Sequence, residues 1–155
     1  KYMTQEEFSK KFKELFTGMI QVAYDFVNHG DDVEDIYIYV DMEGGMSFFN
    51  SFYRIKGKLV YMHEVNDLLI NKVETGRKRT LEILGLGLED VKQMQKIFED
   101  FQGKVPTNMK LKYNIVTNQF DNDICYDLKH TNTDDLLADD IFDQWFEEVK
   151  NSSEK

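Results

Sequence analysis

The chain is expected to fold as an α+β domain: an antiparallel sheet, built from a three-stranded meander plus a later hairpin, with N-terminal, middle and C-terminal helices. Three observations carry that expectation. Apolar residues recur at helical spacing near both ends of the chain. The period drops to two from Ile36 and again from Met109. Turn residues separate the alternating runs.

The first helix opens at Thr4-Gln5-Glu6-Glu7, an S/T-x-x-E capping box in which the Thr and Glu side chains satisfy free N–H groups. Phe8, Phe12, Leu15, Phe16, Met19, Ile20, Ala23, Phe26 and Val27 follow on one face, and Asn28-His29-Gly30 supplies the stop. Ile36, Ile38, Val40 and Met42 then alternate with Tyr37, Tyr39 and Asp41 as a half-buried strand. Glu43-Gly44-Gly45 turns into a second strand, Met46–Ile55, and Lys56-Gly57 into a third, Lys58–Met62. The meander carries an aromatic-rich face of Phe48, Phe49, Phe52 and Tyr53. Asn66–Thr80 is polar and reads as a flexible or solvated segment, including its basic cluster Arg77-Lys78-Arg79. Gly85 and Gly87 are expected to break any long helix, so the middle helix is placed over Leu88, Val91, Met94, Ile97 (or Phe98) and Phe101, closed by Gly103. After Val105-Pro106-Thr107, Met109, Leu111, Tyr113 and Ile115 form one strand of the hairpin. Thr117-Asn118-Gln119 turns the chain, and Phe120, Ile124, Tyr126 and Leu128 form the other strand. Asp139 or Asp140 starts the last helix, whose apolar stripe is Ile141, Phe142, Trp145, Phe146 and Val149. The helices are expected on one face of the sheet.

With 155 residues the chain suits one domain spanning 1–155, with flexible ends expected at 1–3 and 150–155. Hydrophobic residues at 41% and aromatics at 14% exclude a disordered chain. No apolar stretch approaches the ~18 residues a membrane span needs. The charged run 1–13 lacks the apolar core of a signal peptide. Cys125 is the only cysteine, so no intrachain disulfide can form. A cytoplasmic location is expected, and Cys125 reads as a small buried residue of a strand.

No catalytic or cofactor motif is present. His29, His63 and His130 lie in unrelated elements without ligand spacing and read as surface or capping histidines. Asp121-Asn122-Asp123 opens like a calcium loop, but position six is Tyr126 and position twelve Asn132, where Gly and Glu are required. A turn leading into a strand accounts for it better. Phosphate-binding and nucleophile-elbow glycine motifs are missing, so no metal, cofactor or catalytic residue is assigned. Runs such as Asp134-Asp135 and Asp139-Asp140 read as solvated carboxylates without the raised pKa of a general acid.

The charge distribution is more informative than the net charge of −10. Ten acids face one lysine, Lys129, between Asp121 and Glu148, so −9 of the −10 resides there. That stretch repels phosphate and makes nucleic acid and anionic membrane poor partners; a basic protein fits it. Asp139 and Asp140 favour the start of the last helix. Glu147 and Glu148, placed near its end, oppose the dipole and are not explained by helix stability.

The chain also resembles the YezG-like (EsaG-like) bacterial immunity proteins. The resemblance rests on the early amphipathic helix and on Ile36-Tyr37-Ile38-Tyr39-Val40 followed by the aromatic strand from Met46 to Phe52. It rests too on Val105-Pro106-Thr107 opening a strand and on the Tyr126-Asp127 element of the late hairpin. It covers most of the chain apart from Asn66–Leu88. It implies an antitoxin that neutralises a cognate polymorphic toxin, often a nuclease, and supplies no position-by-position binding residues.

Together, charge and resemblance lead to the expectation of a non-enzymatic immunity protein. Its docking face is Asp134, Asp135, Asp139, Asp140, Asp143, Glu147 and Glu148, backed by Trp145 and Phe146. A carboxylate-based metal-dependent hydrolase and an acidic adaptor for a basic protein or secretion component are the alternatives.

Overall fold

The computed structural model describes residues 2–153. The capping box forms as the sequence specifies. Thr4 Oγ1 accepts the Glu7 N–H at 3.1 Å, Glu7 accepts the Thr4 N–H at 2.9 Å, and helix α1 runs Gln5–Phe26. Strands β1 (Val33–Asp41), β2 (Phe48–Ile55) and β3 (Lys58–Tyr61) form the meander. Strands β4 (Asn108–Asn114) and β5 (Phe120–Cys125) form the hairpin. All pairs are antiparallel, and the hairpin joins the meander through β1, giving the order β3-β2-β1-β4-β5. β1 is therefore central. Eight of its nine residues are buried, because both faces of the sheet are covered there.

The helices do not share one face. α1 and α2 (Arg77–Gln102) pack on the side bearing Ile36, Ile38 and Val40, while α3 (Ala138–Ser153) packs on the side bearing Tyr37 and Tyr39. The expected single aromatic face of β2 divides by the same alternation. Phe49 and Tyr53 join α1 and α2, whereas Phe52 and Phe48 meet α3. Tyr53 ties its layer together by donating its buried hydroxyl to the Ala23 carbonyl of α1 at 2.7 Å.

Helix α2 passes unbroken through Gly85 and Gly87, contrary to the sequence expectation. Gly87 is needed for close approach: a Cβ there would lie 2.3 Å from Phe49 Cδ1, so α2 could not seat on β2 with a side chain at that position. The helix closes at Gly103 in the left-handed conformation (φ 68°). Nor is the segment before α2 a free loop. Met62–Asp67 forms a 3-10 turn, and the Asn66 amide brackets Val73, accepting its N–H and donating to its carbonyl. Arg79 of the basic cluster donates to the Asp25, Phe26 and Glu74 carbonyls and lies 5.1 Å over the Phe26 ring. It thus satisfies carbonyls that the end of α1 leaves without intrahelical partners.

The strand starts shift slightly: β2 begins at Phe48, not Met46, and β5 ends at Cys125, before Tyr126 and Leu128. Asp121-Asn122-Asp123 lies inside β5, not in a turn, and Cys125 is half-buried. The ends expected to be flexible lie outside the described residues at 1 and 154–155. Within the described part the Met3 N–H donates to the Asp100 carbonyl and α3 continues through Ser153.

Candidate functional site: an acidic surface and the buried cluster that anchors it

α3 divides cleanly into two faces. Ile141, Phe142, Trp145 and Phe146 are buried against the sheet, with Phe146 stacked on Tyr61 at 4.0 Å and Trp145 edge-on to Phe52 at 4.9 Å. The apolar stripe is therefore consumed inside the molecule. The opposite face presents Asp139, Asp143, Glu147 and Glu148 to solvent, with Asp134 and Asp135 exposed on the preceding segment. Asp140 is half-buried and accepts the Leu137 N–H at 2.8 Å, which makes it a helix-capping residue.

Asp139, Asp143 and Glu147 stand four residues apart, in one row along the helix. Like charges at that spacing each oppose helix formation by ~0.2–0.5 kcal/mol. Among the described residues no basic side chain lies within 4 Å of any of the seven predicted docking carboxylates. Burial pushes the Tyr61 hydroxyl well above its ordinary pKa, and the neighbouring Asp143 and Glu147 carboxylates push it further, so the row adds negative potential to the β3 edge.

α3 extends to Ser153, so Glu147 and Glu148 lie inside the helix and Lys150 occupies its last turn. Because the dipole acts within the last turn, those glutamates are not misplaced with respect to it. What remains is the row on α3, which has no cation within 4 Å among the described residues. The acids of β5 differ from it: Asp121 and Asp123 stand opposite Lys112 and Lys110 in register.

The structure also brings together residues that the sequence reading left apart. His130, expected at the surface, is 4% exposed and packs with Asp41 (0%) and Glu43 (1%). Its Nε2 lies 3.0 Å from both Asp41 carboxylate oxygens, and a ring nitrogen facing two acceptors is the protonated one. Asp41 also accepts the Tyr39 hydroxyl at 2.7 Å and the Glu43 N–H at 3.0 Å. Glu43 accepts N–H groups from Lys129 (2.8 Å), His130 (3.2 Å) and Thr131 (2.7 Å), plus the Thr131 hydroxyl. Burial alone would raise the Glu43 pKa, but the Thr131 hydroxyl and these backbone donors bring it down to about 2. Burial, then the Asp41 bond, drive the Tyr39 hydroxyl far above its ordinary value.

One ligand atom from each of Asp41, Glu43 and His130 falls within a 4.8 Å span, a spacing a metal ion could use. Their donors and acceptors are, however, already matched to one another and to the 129–131 backbone, and no buried side-chain polar atom among the described residues lacks a partner. The arrangement acts as a latch. It pins residues 129–131, between Asp127 and Asp134, to the end of β1. The sequence showed only Glu43 in a glycine turn and His130 within an acidic stretch, 87 residues apart, and only the fold joins them.

No protein-family model matches the chain, and no curated protein matches it.

Proposed function

We propose that this protein is a non-enzymatic immunity protein. Through the acidic face of α3 and the segment before it, it binds a cognate toxin domain of basic character, such as a nuclease. The observation that carries the reading is the exposed row Asp139, Asp143 and Glu147, three like charges at four-residue spacing with no cation within 4 Å among the described residues. A basic partner supplies the missing countercharge, and dense like charge raises association rate and selectivity toward it. The resemblance to the YezG-like immunity proteins supports the same class of partner. So does the apolar stripe lying against the sheet, since the exposed side of α3 is then polar and suited to reversible, steered docking.

The test reverses Asp139, Asp143 and Glu147 to lysine together, sparing the capping Asp140. Binding to a candidate basic toxin domain is followed by stopped flow, and protection by growth on coexpression. Association should slow at least about tenfold at low salt and become nearly salt-independent. A triple variant that associates and protects like the parent removes the acidic face as the interface.

The Asp41–Glu43–His130 cluster favours a second reading, a carboxylate-based metal-dependent hydrolase. Calorimetric titration with Mg²⁺, Mn²⁺ and Ca²⁺ decides it. Heat in the parent that is lost in His130→Ala would support metal binding, and no heat leaves the cluster as a latch.

A further inference from the structure

We propose that the outer edge of β5 is a second docking element, receiving an extended segment of the basic partner in which lysine or arginine alternates with apolar residues. It rests on the reading that the partner is a basic protein, but uses a different part of the molecule from α3. β5 pairs with β4 on one side only and ends the sheet. The Asn114 N–H donates to the Gln119 carbonyl at 2.9 Å, and the register continues from there. Alternation therefore turns the backbone of Asp121 and Asp123 toward β4 and that of Phe120, Asn122 and Ile124 outward. No hydrogen bond to those outward groups is present among the described residues, so β5 offers a ready template for another strand.

The two faces of this edge differ in chemistry, and the difference specifies the occupant. On the α3 side Asp121 and Asp123 are exposed, and neither holds an ion pair within 4 Å among the described residues. Lys112, opposite Asp121, instead places its ammonium 5.5 Å from the Tyr37 ring centroid. On the α1 side Phe120 stays 41% exposed while its ring meets Phe16 at 4.6 Å. Beside it an apolar hollow lies between α1 and the hairpin, lined by Ile20, Tyr24, Tyr113 and Ile115. An added strand thus meets carboxylates with one set of side chains and aromatic surface with the other. Each aspartate faces a lysine across the hairpin, but neither pair closes to 4 Å among the described residues, which leaves both carboxylates open to a cation on an added strand. They do exclude a second copy of this chain, because antiparallel self-pairing centred on Asn122 sets Asp121 against the Asp123 of the other copy.

The probe is a blocked eight-residue peptide alternating lysine and valine, with a glutamate–valine peptide as control. The readout is amide hydrogen exchange and chemical shift by NMR on the full chain. With the lysine peptide, exchange at Phe120, Asn122 and Ile124 should slow at least about tenfold, and the control should leave it unchanged. Asn122→Pro removes an outward N–H without touching the β4 ladder and should abolish the effect. Asp121→Lys with Asp123→Lys should transfer the preference to the glutamate peptide, and this pair decides the matter where Asn122→Pro does not fold. The proposal is overturned if both peptides act alike, if the charge-swapped variant keeps the parent's preference, or if the lysine peptide moves only amides of α3. The Asp139, Asp143 and Glu147 triple variant should retain peptide binding at β5, so failure of either docking element is read on its own amides.

Discussion

Replacing Glu43 by Gln tests whether the buried latch holds the acidic segment in place. Oε2 of Glu43 accepts the His130 and Thr131 N–H groups and the Thr131 hydroxyl, and Oε1 accepts the Lys129 N–H. A glutamine can keep its oxygen on the three-donor side, but its NH₂ then faces the Lys129 N–H, donor against donor. The partly buried Lys129 N–H loses its acceptor, at the lower end of ~1–3 kcal/mol, and the other bonds lose the strength that a charged acceptor gives them. A total of about 2–4 kcal/mol is expected at neutral pH, or a fall in Tm of roughly 4–16 °C for a chain of this size. The sign of the pH dependence follows from the Glu43 pKa of about 2, below the ordinary carboxylate value of 4.5. A group depressed in the folded state contributes stability above its unfolded pKa and loses it as pH falls toward the folded one. Glu43 should therefore give up about 3 kcal/mol between pH 4.5 and 2. Denaturant titrations of parent and Glu43→Gln at pH 7, 5, 4 and 3 follow this difference. The gap should be constant above pH 5 and narrow below it. A gap under ~0.5 kcal/mol at pH 7, or one that widens in acid, refutes the latch.

Two further substitutions separate the middle helix from its packing. Gly85→Ala meets no atom within 4 Å and should stabilise the protein by ~0.5–1 kcal/mol. Gly87→Ala forces Cβ into the Phe49 ring and should cost about 1–3 kcal/mol despite the same helix-propensity gain; both are read from urea midpoints. Arg79→Ala leaves the Asp25, Phe26 and Glu74 carbonyls without their guanidinium donor and exposes the Phe26 ring. It should lower stability by roughly 1–3 kcal/mol, and hydrogen exchange should show faster opening of the last turn of α1.

How far the sequence carried depends on whether the deciding contacts are local. The Thr4–Glu7 capping box, the α1 stripe from Phe8 to Phe26 and the alternation of Ile36, Ile38 and Val40 are read within a few residues, and each formed where expected. The middle helix was misjudged because a glycine lowers local helix propensity by about 1 kcal/mol, whereas Gly87 answers to Phe49, a residue nearly forty positions away. Arg79, alone of the basic cluster, was misread for the same reason: Arg77 and Lys78 are exposed, but the Asp25 and Phe26 carbonyls that Arg79 serves belong to another helix.

The segregation of −9 of the net charge into Asp121–Glu148 was a property of the sequence alone. So were the α+β class and the amphipathic character of α3. Tertiary structure decided the rest. It placed α3 on the opposite side of the sheet from α1 and α2, spent its apolar stripe on Tyr61 and Phe52, and closed the Asp41–Glu43–His130 cluster. It also divided the acids into those of β5, opposite lysines in register across the hairpin, and the α3 row Asp139, Asp143 and Glu147, with no cation within 4 Å among the described residues. The physical reason is one of range. Periodicity and capping act over a turn or a strand and are written in neighbouring residues. Burial and charge compensation depend on which surfaces meet, and those surfaces come from elements far apart in the chain.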